Sequence, residues 1–390
     1  GRFRPYIFWF SIPLAVSAVL MFTVIPGLSE AKYLLFAYIT YIFYGMMYTA
    51  VNIPYGSLAS VVTDDEKERS SLSMWRSIGA GLGGLPGTIL LPMLVYTTTI
   101  SADGTKIQML NGTKLTLGVL ILAVLSVSVY FGHYKITKER ITPPAKQKSN
   151  YNVFKTITDL IKNRPFMMLC LVSMLLIAFQ FYYQSTYTYL FADYYHNGGL
   201  YAMVTICTYL PMAILIPVMN KLIDRFGKKE LCAFGMAFAA IVNFILFFIK
   251  TSNPYVFLVF IFFSGLGQTF LVLEVWALVM DVIDYHEFRT RRREEGTGYA
   301  FVSFARKLGQ TFAGAGLNAL LAVIHYSSDA SANGQALPDD VLNKLYNIST
   351  LVPAIVLALI AVILIFGYNL SKKKLAELSA GLKEIRQTEE

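Results

Sequence analysis

Gly298–Tyr326 reads GYAFVSFARKLGQTFAGAGLNALLAVIHY. It is an apolar run longer than the ~20 residues a helix needs to cross a hydrocarbon core. Lys307 lies nine residues past Gly298, beside Arg306, which is ~13 Å along a helix rising 1.5 Å per residue. That depth exceeds comfortable snorkelling to the headgroups, the competing reading for a lysine in a span. Ser303, Lys307, Gln310, Thr311, Gly314 and Asn318 recur at helical spacing and form one polar stripe on an apolar rod. A cation at mid-depth is costly unless something binds or pairs with it, so the stripe predicts the wall of a water-filled cavity. Arg306 falls one residue off that face, where substrate binding and local pairing are both open.

The rest of the chain agrees with a membrane setting. Of 390 residues, 55% are hydrophobic and only 15% charged, and the mean hydropathy is +0.53, unlike a soluble domain of this length. Ten apolar segments can be marked, at 6–28, 33–61, 71–97, 115–134, 165–194, 200–220, 231–249, 255–281, 298–325 and 347–369. The termini and the connections 63–70, 135–164, 221–230 and 282–297 hold 25 Lys and Arg, whereas the alternate connections hold five. This asymmetry puts both termini and the basic loops in the cytoplasm. The net charge of +9 is thereby explained by topology, and nucleic acid is not an expected partner. Cys170, Cys207 and Cys232 fall in spans without metal-type spacing, so no metal or cofactor is expected. No nucleophile–histidine–acid set or phosphate-cradling loop stands out, which argues against an enzyme. His133, His196, His286 and His325 lie near span boundaries and read as solvated.

The organisation is that of two halves. Residues 1–134 hold four spans, 135–164 a basic central loop with Pro143-Pro144, 165–370 six spans, and 371–390 a charged tail expected as a cytoplasmic helix that need not pack on anything. Asp224-Arg-Phe-Gly-Lys-Lys229 is a tight basic turn after the sixth span, and Gly1-Arg-Phe-Arg-Pro5 resembles the end of the same turn. The repeat predicts two further spans ahead of Gly1. The expected fold is then an all-α membrane protein, a major facilitator-type helical bundle of two pseudo-repeated halves, with ten spans present of twelve.

Four stretches resemble one branch of that superfamily, the glycoside–pentoside–hexuronide:cation symporters of the melibiose permease type. They are Tyr48-Thr-Ala-Val-Asn-Ile-Pro-Tyr-Gly-Ser-Leu58, Glu68-Arg-Ser-Ser-Leu-Ser-Met-Trp-Arg76, Asp281-Val-Ile-Asp-Tyr-His-Glu287 and Glu295–Gln310. The resemblance implies sugar contacts from Arg76 and Lys307, and cation and sugar contacts from Thr49 and Asn52. Where the family pattern has an aspartate, this chain has Asn52, which removes an anionic ligand and shifts the expected coupling ion from Na+ towards H+. The resemblance also implies a cytoplasmic gate of salt bridges from Asp281, Asp284, Arg293 and Glu295, joined by Asp224 and Arg225 of the tight turn.

The residues add their own indications. Tyr41, Tyr44, Tyr48, Asn52 and Tyr55 share a helix face, and aromatic faces stack on sugar rings while amides read their hydroxyls; interfacial packing is the competing reading. Arg76 shares a face with Gly79, Ala80, Gly83 and Gly87, small residues that admit another backbone; snorkelling from near the start of its span is the competing reading. Gln180, Tyr183, Gln184 and Tyr187 share a third face suited to a carbohydrate cavity. Glu274 is a carboxylate deep in a span; it fits a proton carrier or a fixed partner of Lys307 or Arg306. The expected substrate contacts are Tyr48, Asn52, Arg76, Tyr183, Gln184, Lys307 and Gln310, and the expected coupling residues Thr49, Asn52, Glu274 and Lys307. The expected function is cation-coupled sugar symport by a monomer in the cell membrane. A carrier for lipid or other amphipathic solutes and a non-transporting sugar sensor are the alternatives.

Overall fold

The computed structural model describes residues 3–25, 27, 29–63, 65–87, 95–100, 106–141, 153–197, 200–292, 294–327 and 337–389. It divides into two compact units, Gly1–Pro143 and Pro144–Glu390.

In the first unit, α1 (Arg4–Met21) packs on α2 (Glu30–Val62) and on α4 (Gly112–Ile136), and α3 (Glu66–Leu85) follows α2. The first backbone N–H groups of a helix have no intrahelical acceptor. Here Glu139 Oε1 accepts from Phe3 N at 2.9 Å and Arg4 N at 2.8 Å. Asp65 caps α3 by accepting from Lys67 N at 2.9 Å and Glu68 N at 3.0 Å. Asn111 caps α4 through Lys114 N at 3.1 Å. Strands β1 (Tyr96–Ile100) and β2 (Lys106–Leu110) pair antiparallel, Tyr96 opposite Leu110. Within the expected span of about 71–97, α3 covers the first part, residues 88–94 lie outside the described residues, and the strand begins at Tyr96, where the β-branched Thr97-Thr-Thr-Ile100 run prefers extended backbone.

The second unit holds α5 (Val153–Ile161), α6 (Arg164–Tyr189), α7 (Tyr201–Phe226), α8 (Lys228–Ile249), α9 (Pro254–Thr290), α10 (Glu295–Val323), α11 (Asp339–Val362) and α12 (Lys372–Glu389). Wider turns, Leu190–Tyr194 and Ile363–Gly367, extend α6 and α11. Two glycine contacts bring helices unusually close. A Cβ on Gly309 of α10 would lie 2.2 Å from the Met174 carbonyl oxygen of α6, and one on Gly235 of α8 would lie 2.3 Å from that of Gly267 in α9. The core between them includes a cluster of Tyr183, Tyr187, Phe191, Tyr195, Phe257 and Tyr346. Buried phenols need a partner: Tyr346 donates to Leu246 O at 2.9 Å and Tyr195 to Thr251 O at 3.0 Å.

The tail is a helix, as expected, and it packs. Leu375, Leu378 and Leu382 of α12 are buried, and Phe288 of α9 sits against Gly381, where a Cβ would meet its ring at 2.8 Å. Three leucines at steps of three and four make one apolar stripe, enough to seat a helix whose other faces are charged.

Among the described residues, eight helices are long and apolar enough to cross a membrane. Large apolar side chains stand outward on them, such as Ile42 at 60% and Val129 at 63% exposure, as on a surface made for lipid. The long helices α3 and α10 fall outside that set. They are the two that carry Arg76 and Lys307.

Candidate functional site

Helix α10 has two faces. Tyr299, Val302, Gly309, Ala313, Leu317 and Leu321 are buried, seated against α6 at the Gly309–Met174 contact. Lys307, Gln310, Thr311, Gly314 and Asn318 are exposed, and Ser303 half-buried. The polar stripe thus faces away from the core of its own unit, and the Lys307 ammonium is not sealed in a dry interior. Arg306, one step round, places its guanidinium 4.9 Å over the Trp276 ring, which stacks on Tyr299 with centroids 5.3 Å apart. Such a cation–π contact gives Arg306 a local structural role.

Glu274 of α9 is fully buried and lies near the Cys232 thiol of α8. Seven residues on, Asp281 shares its face and meets Lys228 at the start of α8. Lys228 Nζ lies 2.8 Å from each carboxylate oxygen, with both side chains about 2–3% exposed. Lys228 is a partner that sequence reasoning left unassigned, although it belongs to the basic pair of the tight turn.

The remaining expected gate residues divide. Glu295 is fully buried and Asp284 half-buried, whereas Arg293 lies outside the described residues. Asp224 and Arg225 expose their side chains, and their carbonyls accept from Lys372 Nζ of α12. The turn itself needs Gly227, at φ +95°, where a Cβ would meet Glu230 Oε2 at 2.5 Å. Nearby, His286 is 3% exposed with Nε2 3.8 Å from Glu294 Oε2, and Glu294 Oε1 accepts from Thr156 of α5 at 2.8 Å. The reading of His286 as solvated is corrected: it is buried beside Glu294, which Thr156 ties to α5.

The α6 face also divides. Gln184 is exposed, but Tyr183 is 6% exposed, between Phe179 at 4.9 Å and Tyr187 at 5.4 Å, with its hydroxyl against Thr208 and Gln184. Tyr183 is therefore a core residue in this structure and not an open sugar platform. A tyrosine stripe buries more area against a neighbouring helix than it leaves to water, and periodicity cannot distinguish the two.

In the first unit, Tyr48 is exposed at 36% and stacks on Tyr44 at 6.2 Å. Thr49 is exposed, bonded to Gly45 O at 2.8 Å, and Asn52 is half-buried. Arg76 of α3 holds its guanidinium 5.0 Å over the Tyr55 ring of α2, which lies 5.5 Å from His133 of α4. These three line a cavity of about 550 Å³ with Leu58, Leu72, Lys138 and Arg140 among its walls. His133 is half-buried in this lining. Among the described residues no group of His, Cys, Asp and Glu is arranged to hold a metal.

The family profile described as MFS/sugar transport protein matches residues 1–372. The chain belongs to the MFS sugar-transport family. Within it, the chain is 32% identical to the uncharacterized symporter YjmB of Bacillus subtilis (strain 168), across 98% of this chain and 80% of that protein. It is 30% identical to the isoprimeverose transporter of Lactiplantibacillus pentosus, across 97% and 77%. It is 27% identical to the glucuronide carrier protein homolog of Escherichia coli (strain K12), across 97% and 79%. The crystal structure of the major facilitator transporter FucP in the outward conformation covers 93% of this chain and 83% of its own at a TM-score of 0.58 and 15% identity, a likeness of fold alone. This member of the MFS sugar-transport family is a multi-pass membrane protein of glycoside–pentoside–hexuronide:cation symporter type, a transporter and not an enzyme.

Proposed function

We propose that the protein is a symporter for a glycoside, pentoside or hexuronide, driven by inward proton flow across the plasma membrane. The observation that carries this reading is the exposed polar face of α10, with Lys307 at mid-helix and an apolar face buried behind it. A hydrated solute compensates a cation at that depth, where lipid would not. Tyr48, Asn52, Arg76, Gln184, Lys307 and Gln310 supply the contacts of one sugar, and Tyr183 supports Gln184 from behind. Thr49, Asn52, Glu274 and Lys307 are the coupling set. Asn52 in place of a carboxylate leaves one ligand fewer for Na+, whereas the buried Glu274 is a group whose charge can be neutralised by a proton.

In this reading both termini are cytoplasmic, and twelve spans in two halves alternate access to a site near mid-membrane. The cytoplasmic charges around Asp224, Arg225, Asp281, Asp284, Arg293 and Glu295 would exchange partners between states. A potential of 100 mV is worth ~2.3 kcal/mol per charge, roughly fifty-fold accumulation with one proton. The test is uptake of labelled glucuronides, isoprimeverose and other glycosides into liposomes carrying the purified protein. An imposed pH gradient should drive uptake and a sodium gradient should not. Uptake driven by sodium alone refutes the coupling ion, and binding without gradient-driven uptake refutes symport in favour of a sensor.

A further inference from the structure

The cavity of the first unit is more than a flank of Arg76. It lies where the apolar run of α4 gives way to Lys135, Lys138 and Arg140, and among the described residues its lining has three cations, Arg76 (stacked on Tyr55), Lys138 and Arg140, and no carboxylate. The acid between the last two, Glu139, is engaged elsewhere: its Oε1 accepts from Phe3 N and Arg4 N. The backbone at the rim is tied to α2, since Arg140 N and Ile141 N both donate to Val61 O at 2.9 Å. His133 adds an imidazole whose buried Nδ1 has no hydrogen-bond partner. Opposite the charges is an apolar floor of Leu58, Ala59 and Val62. It runs outward through Leu72, 36% exposed, to Ile136, 81% exposed.

Basic pockets between helices at a membrane surface suit phosphate headgroups, and an apolar floor leading out to the lipid-facing surface suits an acyl chain. A free anion would gain nothing from that floor. We propose that this cavity binds the phosphate headgroup of an anionic phospholipid, with the start of one acyl chain on Leu58, Ala59 and Val62. The phosphate is held by Lys138 and Arg140, while Arg76, stacked on Tyr55, remains with the proposed sugar contacts.

The purified full chain, analysed by native mass spectrometry with added dioleoyl phosphatidylglycerol, phosphatidylcholine or inorganic phosphate, tests it. Wild type should retain phosphatidylglycerol in preference to phosphatidylcholine, and millimolar inorganic phosphate should not displace it. Lys138→Gln with Arg140→Gln should weaken phosphatidylglycerol binding roughly thirty-fold. Ala59→Phe, which fills the floor and leaves every charge, should weaken it as well. Equal retention of the two lipids, or unchanged binding in both variants, overturns the proposal. Displacement by inorganic phosphate also overturns it, making the site one for a free anion. Thermal unfolding in phosphatidylcholine micelles checks that each variant is folded; if one is not, the other decides.

Discussion

The Lys228–Asp281 pair should be strongly coupled and easily damaged from either side. At 2.8 Å with an effective dielectric of 20, two unit charges attract by about 6 kcal/mol. That figure is offset by several kcal/mol of desolvation for each ion, so the intact pair adds little net stability. Removing one partner is different, because the other charge then stays buried at 2–3% exposure without the oppositely charged group it faces at 2.8 Å. Asp281→Asn or Lys228→Met should each cost about 3–5 kcal/mol. At roughly 2–4 °C per kcal/mol for a unit of this size, unfolding should fall by about 6–20 °C. The apolar double variant Lys228→Met with Asp281→Leu should recover most of that loss, because a well-packed isostere replaces a buried pair at little cost. Unfolding of all three variants in detergent, followed by intrinsic fluorescence, completes a double-mutant cycle. If the losses of the two single variants simply add in the double, the charges are independent and the reasoning fails. If the double variant is stable yet does not transport, the pair serves the gate as well as the fold.

Gly309→Ala should destabilise by about 1–3 kcal/mol, because its Cβ would fall 2.2 Å from Met174 O. Gly316→Ala in the same helix meets nothing within 4 Å and should stabilise by about 0.5–1 kcal/mol; opposite signs in thermal unfolding check the pair. Lys307→Gln should reduce sugar uptake at least ten-fold while moving stability by no more than about 0.5 kcal/mol, since the residue is exposed. Unfolding together with uptake would show instead that Lys307 is structural. Leu378→Asp should release α12 by removing about 1.5–3 kcal/mol of burial, seen as faster amide exchange over Lys372–Leu382 without global unfolding.

What could be read from the sequence was whatever repeats along one helix. The Lys307 stripe recurs at steps of three and four, and the structure leaves that face open, because a helix converts spacing into a face without help from any other element. The same rule failed at Tyr183. A stripe says which residues share a face and not what the face meets, and Phe179 and Tyr187 meet this one. His133 and Glu139 were out of reach for a related reason, since their partners Tyr55 and Arg4 lie far back along the chain. At Lys228 half the information was present: the basic pair marked a turn with charge to place, but only the packing of α8 on α9 selects Asp281. The α12 leucines carried a legible period that the surrounding charges obscured. The division is physical. Periodicity is a local property of one chain segment, whereas a charge acquires a partner only when two segments meet. For that reason the cations of α3 and α10 are the informative residues. Both sit in helices outside the set apolar enough to span: Arg76 stacks on the Tyr55 ring, and the sugar proposed for this site is what would compensate Lys307.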